Sequence, residues 1–374
     1  MVKGHRWYFT TFIMTFGYYA LTGTEHYHGV CNKLRGIVNA AEKLGYTSTL
    51  HSVIGSGILS FIKLAIAISR AKEEIVFVRG VPYCYLLISP AMLIARLRHR
   101  KVYLDVPTPL IVAFQEILTA KQGIAIKVLK CFLIAIIGPM AFWPVHVVIQ
   151  YAPEGKYFQI GNRKKIRIIS NGIDIDAIAM RSSAPFWPSN SIHFLGVANV
   201  SDWHGYDRII KGMAHYRDTE SNPIPLYFTV VGSGPAIDDL KKLCISLHLF
   251  DQVIFTGPLT GKRLVNEYCK AHLAVDAIGI HRKGLSVAST LKSREYCALG
   301  ISFIASAQDY DFDGNETFRY RVSSTDNYHE IAMLFAEISA LPFFLYKEQI
   351  REFAEKKLSW ESKLQQLGID RCVQ

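Results

Sequence analysis

The 374-residue sequence has few charged residues and no closely spaced cysteines. Only 20% of its residues are charged and half are hydrophobic, which excludes a disordered protein. The seven cysteines stand singly, without the CxxC spacing of metal or redox sites. This pattern favours reduced thiols in a cytoplasmic protein over a disulfide framework. With 26 glycines and 14 prolines the chain is neither collagen-like nor a Pro-rich low-complexity sequence, and no repeat is visible.

Acidic residues are scarce in the first half of the chain. Residues 1–182 contain 22 basic and 9 acidic residues, whereas the rest contains 20 basic and 22 acidic ones, so the first half carries the whole net charge of +11. This asymmetry predicts an anionic partner for the first half, such as nucleic acid, a phosphorylated substrate or a membrane surface. Because no nucleic-acid recognition motif is present, we expect no nucleic-acid binding.

Two apolar segments raise the question of membrane insertion. Residues 1–23 resemble a signal peptide in part, but threonines interrupt the apolar run, and we predict a buried strand over 7–15. Residues 131–153 carry no charge and are long enough to span a bilayer. Gly138, Pro139 and Pro144 interrupt that segment, so we predict a helix ending near Gly138 and then a strand over 146–150. The chain is therefore expected to be soluble or peripheral, and cytoplasmic.

Apolar strand-like runs alternate with helical patterns along the chain, which predicts two parallel α/β domains. Residues 181–190 lack periodicity and contain two prolines, which marks them as the linker. We therefore expect an N-terminal Rossmann-like domain over 1–182, a second over 191–344 and a C-terminal helix over 345–374. Further strands are predicted at 47–53, 75–79, 101–104, 167–169, 192–197, 226–231, 252–255, 273–277 and 302–305. Helices are predicted at 32–44, 58–70, 85–98, 124–137 and 236–247.

Two stretches in the second half have the composition of a phosphate or nucleotide site. Gly232 and Gly234 follow a predicted strand and open a helix, where backbone N–H groups can approach a phosphate; a tight turn is the alternative. Residues 279–306 place Lys292 and Glu295 in the first turns of a helix. There Lys292 can pair with a phosphate and Glu295 can accept two sugar hydroxyls; a solvated helix face is the alternative.

Six motifs, in order along nearly the whole chain, resemble the retaining GT-B glycosyltransferases of glycosyltransferase family 4. The closest branch makes bacterial capsule, O-antigen and exopolysaccharide. The motifs are Tyr-Leu-Asp-Val-Pro-Thr at 103–108, Ser-Asn-Gly-Ile-Asp at 170–174, Gly-Val-Ala-Asn-Val-Ser-Asp-Trp-His-Gly-Tyr-Asp-Arg at 196–208, Val-Gly-Ser-Gly-Pro at 231–235, Val-Ile-Phe-Thr-Gly at 253–257 and Leu-Lys-Ser-Arg-Glu-Tyr-Cys-Ala-Leu-Gly at 291–300. A Ser-Trp-Glu turn at 359–361 resembles the start of the family's last helix, which crosses back to the first domain.

The resemblance implies a nucleotide-sugar donor in the second domain and an acceptor in the first, across a central cleft. Glu295 matches the glutamate that holds the nucleotide ribose, and residues 17–23 match a flexible loop against the donor phosphates. The implied donor-site residues are Gly17, Asn199, Trp203, Gly232, Gly234, Gly257, Arg282, Gly284, Leu285, Ser293, Arg294 and Glu295.

The sequence departs from the family pattern at two places. Asn199 and His204 occupy the positions where many members have an arginine and a lysine that bind the diphosphate. A His-Arg-Lys run at 281–283 replaces a glutamate upstream of Gly284 and Leu285. We therefore expect the diphosphate charge to be neutralised by Arg282, Lys283, Lys292 or Arg294, with His204 as a hydrogen-bond donor. The departure leaves the donor sugar open.

The implied mechanism is retaining transfer without a metal ion or other cofactor. Asp105, His204 and Lys292 are the candidate catalytic residues, with Asp105 orienting the acceptor hydroxyl; a loop cap is the alternative for Asp105. Two DxD motifs, at 174–176 and 309–313, resemble metal sites, but their positions after a turn and after a strand favour structural roles. Two other functions stay open, namely a nucleotide-sugar epimerase of the same fold and a non-catalytic nucleotide-sugar-binding homologue.

Basic residues beside apolar helices suggest docking on the anionic inner face of the cytoplasmic membrane. The family's acceptors are often polyprenyl-diphosphate-linked sugars, and a membrane-facing first domain fits such an acceptor. Core helices with an ordinary solvated basic face are the alternative. The residues assigned to the membrane and the acceptor are Arg96, Arg98, Arg100, Lys101, Lys127 and Lys130.

Overall fold

A computed structural model of the chain describes residues 14–22, 28–55, 57–120, 122–183, 185, 190–340 and 347–370. The described residues form two compact units. The first unit contains residues up to Gln150, then Glu154–Arg167, and the chain from Leu364 onward. The second unit contains Tyr151–Pro153 and Ile168–Lys363.

The first unit is built on a six-stranded parallel sheet with the strand order β2-β1-β3-β4-β5-β6. Its strands are β1 (Thr15–Thr22), β2 (Thr47–Ile54), β3 (Ile75–Arg79), β4 (Lys101–Val106), β5 (Val147–Gln150) and β6 (Ile166–Ile168). The strand predicted over 7–15 is wrong at its carboxyl end, because β1 begins at Thr15; residues 7–13 lie outside the described residues. The central strands are buried on both faces, as parallel sheets require.

The second unit has its own six-stranded sheet, in the order β12-β11-β10-β7-β8-β9. Its strands are β7 (Ile192–Val197), β8 (Leu226–Val231), β9 (Val253–Gly257), β10 (Leu273–Val275), β11 (Phe303–Ala305) and β12 (Arg319–Arg321). The sequence predictions for β7 and β8 are confirmed to the residue. The edge strand β12 was not predicted, because Arg-Tyr-Arg has no apolar run.

Helices connect most of the consecutive strands, as crossovers between parallel strands require. Those of the first unit are α1 (His28–Lys43), α2 (Ile58–Ser69), α3 (Tyr85–Leu97), α4 (Leu110–Thr119), α5 (Ile124–Phe132) and α6 (Gly138–Ala141). The others are α7 (Tyr206–Thr219), α8 (Ile237–Ser246), α9 (Gly261–Lys270), α10 (Leu291–Leu299), α11 (His329–Ala340), α12 (Lys347–Phe353) and α13 (Trp360–Gln366).

The apolar segment after Gly123 is a longer helix than the sequence predicts. A π-helical segment, Leu133–Ile137, joins α5 to α6, so the helix runs over Ile124–Ala141 through Gly138 and Pro139. It is long and apolar enough to cross a membrane, and only 17% of its most hydrophobic 18-residue window is buried. The prediction that glycine and proline end the helix near residue 138 is therefore wrong.

The division between the units also differs from the predicted one. Residues 168–182, assigned above to the first domain, group with the second unit. The C-terminal helical region was expected to return to the first domain as one piece. Instead, Ile350, Ala354 and Leu358 belong to the hydrophobic core of the second unit, and only the chain from Leu364 onward groups with the first.

Candidate functional site

The carboxyl edge of the second sheet brings together loops that follow β7, β8 and β10. Gly232 and Gly234 lie in the loop after β8, with φ values of 124° and 151°. A Cβ at Gly232 would lie 1.9 Å from the Ala198 oxygen, and one at Gly234 would lie 2.2 Å from the Val200 oxygen. Both glycines are therefore required for the close packing of two loop backbones, whatever ligand the edge binds.

Glu295 stands in the second turn of α10 and is half-buried. The hydroxyl of Tyr268, on α9, donates a 2.8 Å hydrogen bond to its Oε1 atom. Burial raises the pKa of the Glu295 carboxyl, while the Tyr268 hydrogen bond and the charge of Lys292 lower it. One carboxylate oxygen is thus fixed by the protein, and Oε2 has no hydrogen bond within the described residues.

Two lysine side chains meet at the indole of Trp203. The Nζ atom of Lys283 lies 5.2 Å from the ring centroid and that of Lys292 lies 5.3 Å from it. Lys292 is half-buried, and burial lowers its pKa, whereas the charges of Asp276 and Glu295 raise it. An aromatic face attracts cations, so the half-buried Trp203 holds two ammonium groups near the N-terminus of α10.

His204 follows Trp203, and its Nδ1 atom contacts the backbone of Ser201. Nδ1 lies 2.9 Å from the Ser201 nitrogen and 3.1 Å from the Ser201 carbonyl oxygen, so it accepts from the N–H in one neutral tautomer and donates to the carbonyl in the other. Burial and the nearby charges of Lys292 and Lys283 lower the His204 pKa to about 3, against a hydrogen bond with Ser201 that raises it. The ring is stacked on Trp203 with centroids 3.8 Å apart. The ring of His204 is therefore uncharged at neutral pH, and its role as a hydrogen-bond donor to the diphosphate stays a prediction.

A polar network fixes the start of α10. Thr290 is its N-cap, and the Thr290 hydroxyl oxygen accepts the Ser293 N–H at 3.1 Å. The same hydroxyl donates to the buried carboxylate of Asp276, after β10, at 2.7 Å. Ser293 is buried and its hydroxyl donates to the Thr290 carbonyl, so it supports the helix start instead of facing a ligand.

Three members of this site were missed from the sequence. Thr290 could have been found, since threonine before a helix is a strong N-cap signal. Tyr268 and Asp276 gave no such signal, because each reaches the site from a different element.

Two arginines expected to meet the diphosphate are engaged in ion pairs. Arg282 binds Asp207 through two hydrogen bonds, of 2.8 and 2.9 Å, and also binds Asp326. Arg294 is fully buried between Asp309 and Asp311. We therefore withdraw both guanidinium groups as phosphate ligands.

The DxD motif at 309–313 also has a structural role. Asp309 and Asp311 hold Arg294, and Asp311 accepts a hydrogen bond of 2.5 Å from Lys363. Within the described residues, no three His, Cys, Asp or Glu side chains come together in a way that could hold a metal ion.

The other predicted donor residues lie on loops of the same unit. Asn199 is exposed in the loop after β7. Gly257 ends β9 with a φ of 71°, and a Cβ there would meet nothing within 4 Å. Gly284, with a φ of 69°, ends the short 3-10 helix Ile280–Lys283, and Leu285 follows it half-buried.

Two predicted site residues lie inside strands of the first unit. Gly17 is in the middle of β1, paired with Thr49 and Val76, so it is not part of a flexible loop; Gly23 lies outside the described residues. Asp105 is fully buried in β4 and does not follow the strand.

Asp105 is committed to partners within the sheet. It accepts hydrogen bonds from Tyr18 and, at 3.0 Å, from Arg79. Lys33, Arg79 and these hydrogen bonds lower the Asp105 pKa against the effect of burial. Both hydrogen bonds reach Oδ2, whereas the buried Oδ1 has no hydrogen-bond partner within the described residues, so the orienting role of Asp105 stays a prediction.

Four basic side chains of the first unit that were assigned to the membrane bind neutral groups instead of carboxylates. Arg96 donates to the carbonyls of residues 143–145, and Arg98 donates to the Ser69 carbonyl. Lys127 donates to the Leu118 carbonyl at 2.9 Å, and Lys130 to Gln122 Oε1 at 3.0 Å. No carboxylate among the described residues lies within ion-pair distance of these four side chains. Their positive charge therefore remains uncompensated.

The same unit exposes a wide apolar surface, which we call the apolar face. Helices α2, α3 and Ile124–Ala141 all contribute to one core cluster on one side of the first sheet. Their outer sides carry exposed aliphatic and aromatic side chains, namely Ile58, Leu59, Ile62, Ile66, Leu86, Leu93, Ile94, Leu97, Ile124, Ile126, Val128, Leu129, Phe132, Ile136 and Met140. Large exposed apolar patches often mark interaction sites, so the apolar face is a candidate for one.

Comparison with known proteins identifies the fold. No protein-family model matches the chain, and no curated protein matches it in sequence. Among solved structures, sucrose-phosphate synthase from Thermosynechococcus elongatus matches with a TM-score of 0.63 and 15% identity, over 94% of this chain and 97% of that one. The lipopolysaccharide outer core galactosyltransferase WaaB matches with a TM-score of 0.61 and 10% identity, over 95% and 99%.

A third similar structure contains a nucleotide. It is a mutant of TarM of S. aureus in complex with fondaparinux, α-GlcNAc-glycerol and UDP. It matches with a TM-score of 0.54 and 14% identity, over 82% of this chain and 58% of that one. With two parallel six-stranded sheets in separate units, the chain has the α/β fold of the GT-B glycosyltransferases.

Proposed function

We propose that this protein is a retaining glycosyltransferase that moves a sugar from a nucleotide-sugar donor to a lipid-linked saccharide acceptor. The observation that carries the proposal is the meeting of Lys283 and Lys292 at Trp203, one helical turn from the carboxylate of Glu295. The role in bacterial surface polysaccharide synthesis rests on the sequence resemblance.

The second unit has the groups that a nucleoside diphosphate needs. Two ammonium groups and the N-terminus of α10 supply positive potential for the diphosphate. Glu295 Oε2 is available to accept from the two ribose hydroxyls, since Tyr268 holds only Oε1. The UDP bound to TarM makes uridine diphosphate the first nucleotide to test.

The lysines also suit the chemical step. In retaining transfer the acceptor hydroxyl attacks from the face that the diphosphate leaves, and the leaving phosphate takes the hydroxyl proton. Negative charge develops on that phosphate as the sugar gains oxocarbenium character, so fixed positive groups stabilise the transition state. Lys292 and Lys283 fill this role, and the neutral ring of His204 supplies a further hydrogen-bond donor. Transfer without a metal ion is part of the proposal.

The first unit has the properties expected of a membrane-facing acceptor domain. Its apolar face and the uncompensated charges of Arg96, Arg98, Lys127 and Lys130 suit an anionic leaflet. Each basic residue close to such a surface contributes about 1 kcal/mol of binding. We therefore propose a peripheral protein on the inner face of the cytoplasmic membrane.

A thermal-shift screen of nucleoside diphosphates and nucleotide sugars tests the donor half of the proposal. A bound donor stabilises the folded state in proportion to its occupancy, so one nucleotide class should raise Tm. Glu295→Ala should abolish that rise, whereas Glu267→Ala, which removes a carboxylate paired with Lys270 on the surface of α9, should leave it intact. A screen in which no nucleotide raises Tm contradicts the proposal.

A further inference from the structure

We infer that a groove between α4 and α5 binds one molecule of a lipid phosphate. The groove holds the hydrocarbon chain of this lipid, and Lys127 and Lys130 bind its phosphate group. This inference rests on the proposed function, because it assigns a site to the lipid end of the acceptor. The groove is lined by Phe114, Leu118, Ile124, Lys127, Val128, Cys131, Phe132 and Ala135.

The groove has the chemistry of a chain-binding site. Seven of its eight lining side chains are apolar or weakly polar, and Lys127 is its only charged member among the described residues. Its volume is about 440 Å³. The walls are also unusually exposed, because Phe132 and Val128 keep 59% and 61% of their surface accessible. A hydrocarbon chain would remove this apolar surface from water.

The charge beside the groove identifies the head group as anionic. Lys127 and Lys130 stand three residues apart on α5, so their side chains emerge on neighbouring positions of one helix surface. Each donates only to a neutral oxygen, of Leu118 and Gln122 respectively. Two half-buried ammonium groups without a carboxylate partner suit a phosphate, which accepts from both.

A second pocket gives the head group a direction. Lys130 Nζ lies 5.1 Å from the ring centroid of Tyr83, and both Tyr83 and Gln122 line a pocket of about 340 Å³. That pocket is formed by the loops after β3 and β4, including Thr108, and by the face of α4 that carries Glu116. Lys130 thus links this pocket, to which Tyr83, Thr108, Glu116 and Gln122 contribute polar groups, to the helix that walls the groove. A phosphate between the two lysines would place a sugar head toward the pocket and the chain in the groove.

The native Cys131 thiol, in the wall of the groove, reports its occupancy. We would measure its alkylation by N-ethylmaleimide, by mass spectrometry of the full chain, with farnesyl phosphate below its aggregation concentration. The inference predicts that saturating farnesyl phosphate slows Cys131 alkylation at least tenfold and leaves Cys269 of the second unit unaffected. An unchanged Cys131 rate overturns the inference.

Two substitutions separate a lipid site from general membrane contact. Ala135→Trp fills the groove without removing apolar surface, so it should weaken farnesyl phosphate binding at least tenfold while binding to anionic vesicles persists. Cys131→Trp also fills the groove and should have the same effect. It replaces Ala135→Trp in the test if that variant does not fold. Ile126→Trp, on the same helix but outside the groove, is the matched control and should bind normally. Equal binding by the filled and control variants overturns the inference.

The head group is tested with the same probe. Lys127→Gln combined with Lys130→Gln should weaken binding of farnesyl phosphate at least tenfold and leave binding of farnesol, which has no phosphate, within twofold. An equal loss for both ligands contradicts a phosphate site. None of these assays contains a nucleotide, so a protein that transfers no sugar can still bind the lipid. If the protein transfers sugar but farnesyl phosphate does not protect its Cys131, the lipid groove is wrong and the proposed function stands.

Discussion

The Tyr268 hydroxyl donates to Glu295 Oε1 at 2.8 Å, and the second carboxylate oxygen has no hydrogen bond within the described residues. Because a hydrogen bond to a charged group is worth about 1.5–3 kcal/mol, Glu295→Ala should weaken nucleotide binding at least tenfold. Tyr268→Phe should weaken nucleotide binding by less, since the Glu295 carboxylate remains and loses only the hydrogen bond that fixes its position. Calorimetric titration with the stabilising nucleotide measures both. Equal affinity of Glu295→Ala and the parent protein would remove Glu295 from the site.

The two lysines at Trp203 should contribute to binding of the diphosphate more than to binding of the nucleoside. Lys292→Met should lower affinity for the nucleoside diphosphate at least tenfold and leave affinity for the nucleoside within about twofold, since a lost charge-assisted hydrogen bond costs about 1.5–3 kcal/mol. Lys283→Met should act in the same direction.

Lys270→Met is the matched control for the two lysine variants. Lys270 is an exposed lysine of the same unit that is paired with Glu267, and its replacement should change neither affinity. If the lysine variants at Trp203 behave like this control, the diphosphate binds elsewhere.

His204 should make the protein less stable in acid. Its pKa is lowered to about 3 in the folded state, whereas an unfolded histidine has a pKa near 6.5. Between about pH 6.5 and pH 3 the unfolded chain binds the proton and the folded chain does not, so stability falls as the pH falls.

The size of this effect is about 1.4 kcal/mol per pH unit at most. Urea unfolding at pH 7 and pH 5 should show a smaller loss for His204→Asn, whose amide oxygen can accept the Ser201 N–H, than for the parent protein. Identical pH dependence of the two proteins would mean that His204 titrates normally.

Alanine substitutions at Gly232 and Gly257 separate two ways in which an added Cβ lowers folding stability, namely backbone strain and a steric clash. Both have positive φ, but a Cβ at Gly232 collides with the Ala198 carbonyl and one at Gly257 meets open space. Gly257→Ala should therefore cost about 1–2 kcal/mol, from the left-handed backbone alone. Gly232→Ala should cost clearly more, because the loop after β8 must shift. Denaturant unfolding measures both; equal costs would contradict the close approach of the two loops.

The apolar face should bind anionic vesicles through side chains that do little for the fold. Leu97 and Leu129 are 70% and 58% exposed, so replacing both by serine should leave Tm nearly unchanged and weaken vesicle binding. Ile245→Ser, at a similarly exposed isoleucine of the second unit, is the matched control. Co-sedimentation with phosphatidylglycerol vesicles measures the difference. Equal binding by the double variant and the control would locate the membrane surface elsewhere.

The sequence predicted the fold well where apolar runs had clear ends. β3, β7 and β8 were located to the residue because compact apolar segments lie between polar or turn residues. The helix Ile124–Ala141 was cut short because proline usually ends a helix. Here Pro139 stands at the first turn of α6, after a π-helical segment, where its missing N–H matters least.

The local structure around the candidate site was predictable, but its ion pairs were not. Local motifs placed Lys292 and Glu295 in the first turns of a helix, and the structure has both on α10, with His204 in the short 3-10 helix Asp202–His204. The partners of Arg282 and Arg294 do not follow from local pattern, because Asp207 lies 75 residues from Arg282 and Asp309 comes from the loop after β11. Whether a basic residue is available to a ligand depends on such contacts, which composition does not reveal.

Transfer of labelled sugar into lipid tests the central claim most directly. Protein would be incubated with radiolabelled forms of the stabilising nucleotide sugar and with bacterial membranes, and the organic-soluble label would be counted. A retaining glycosyltransferase should give lipid-linked label that requires the protein, disappears with Glu295→Ala and keeps the donor's anomeric configuration. Label that remains water-soluble, either unchanged or converted to another nucleotide sugar, would contradict the claim.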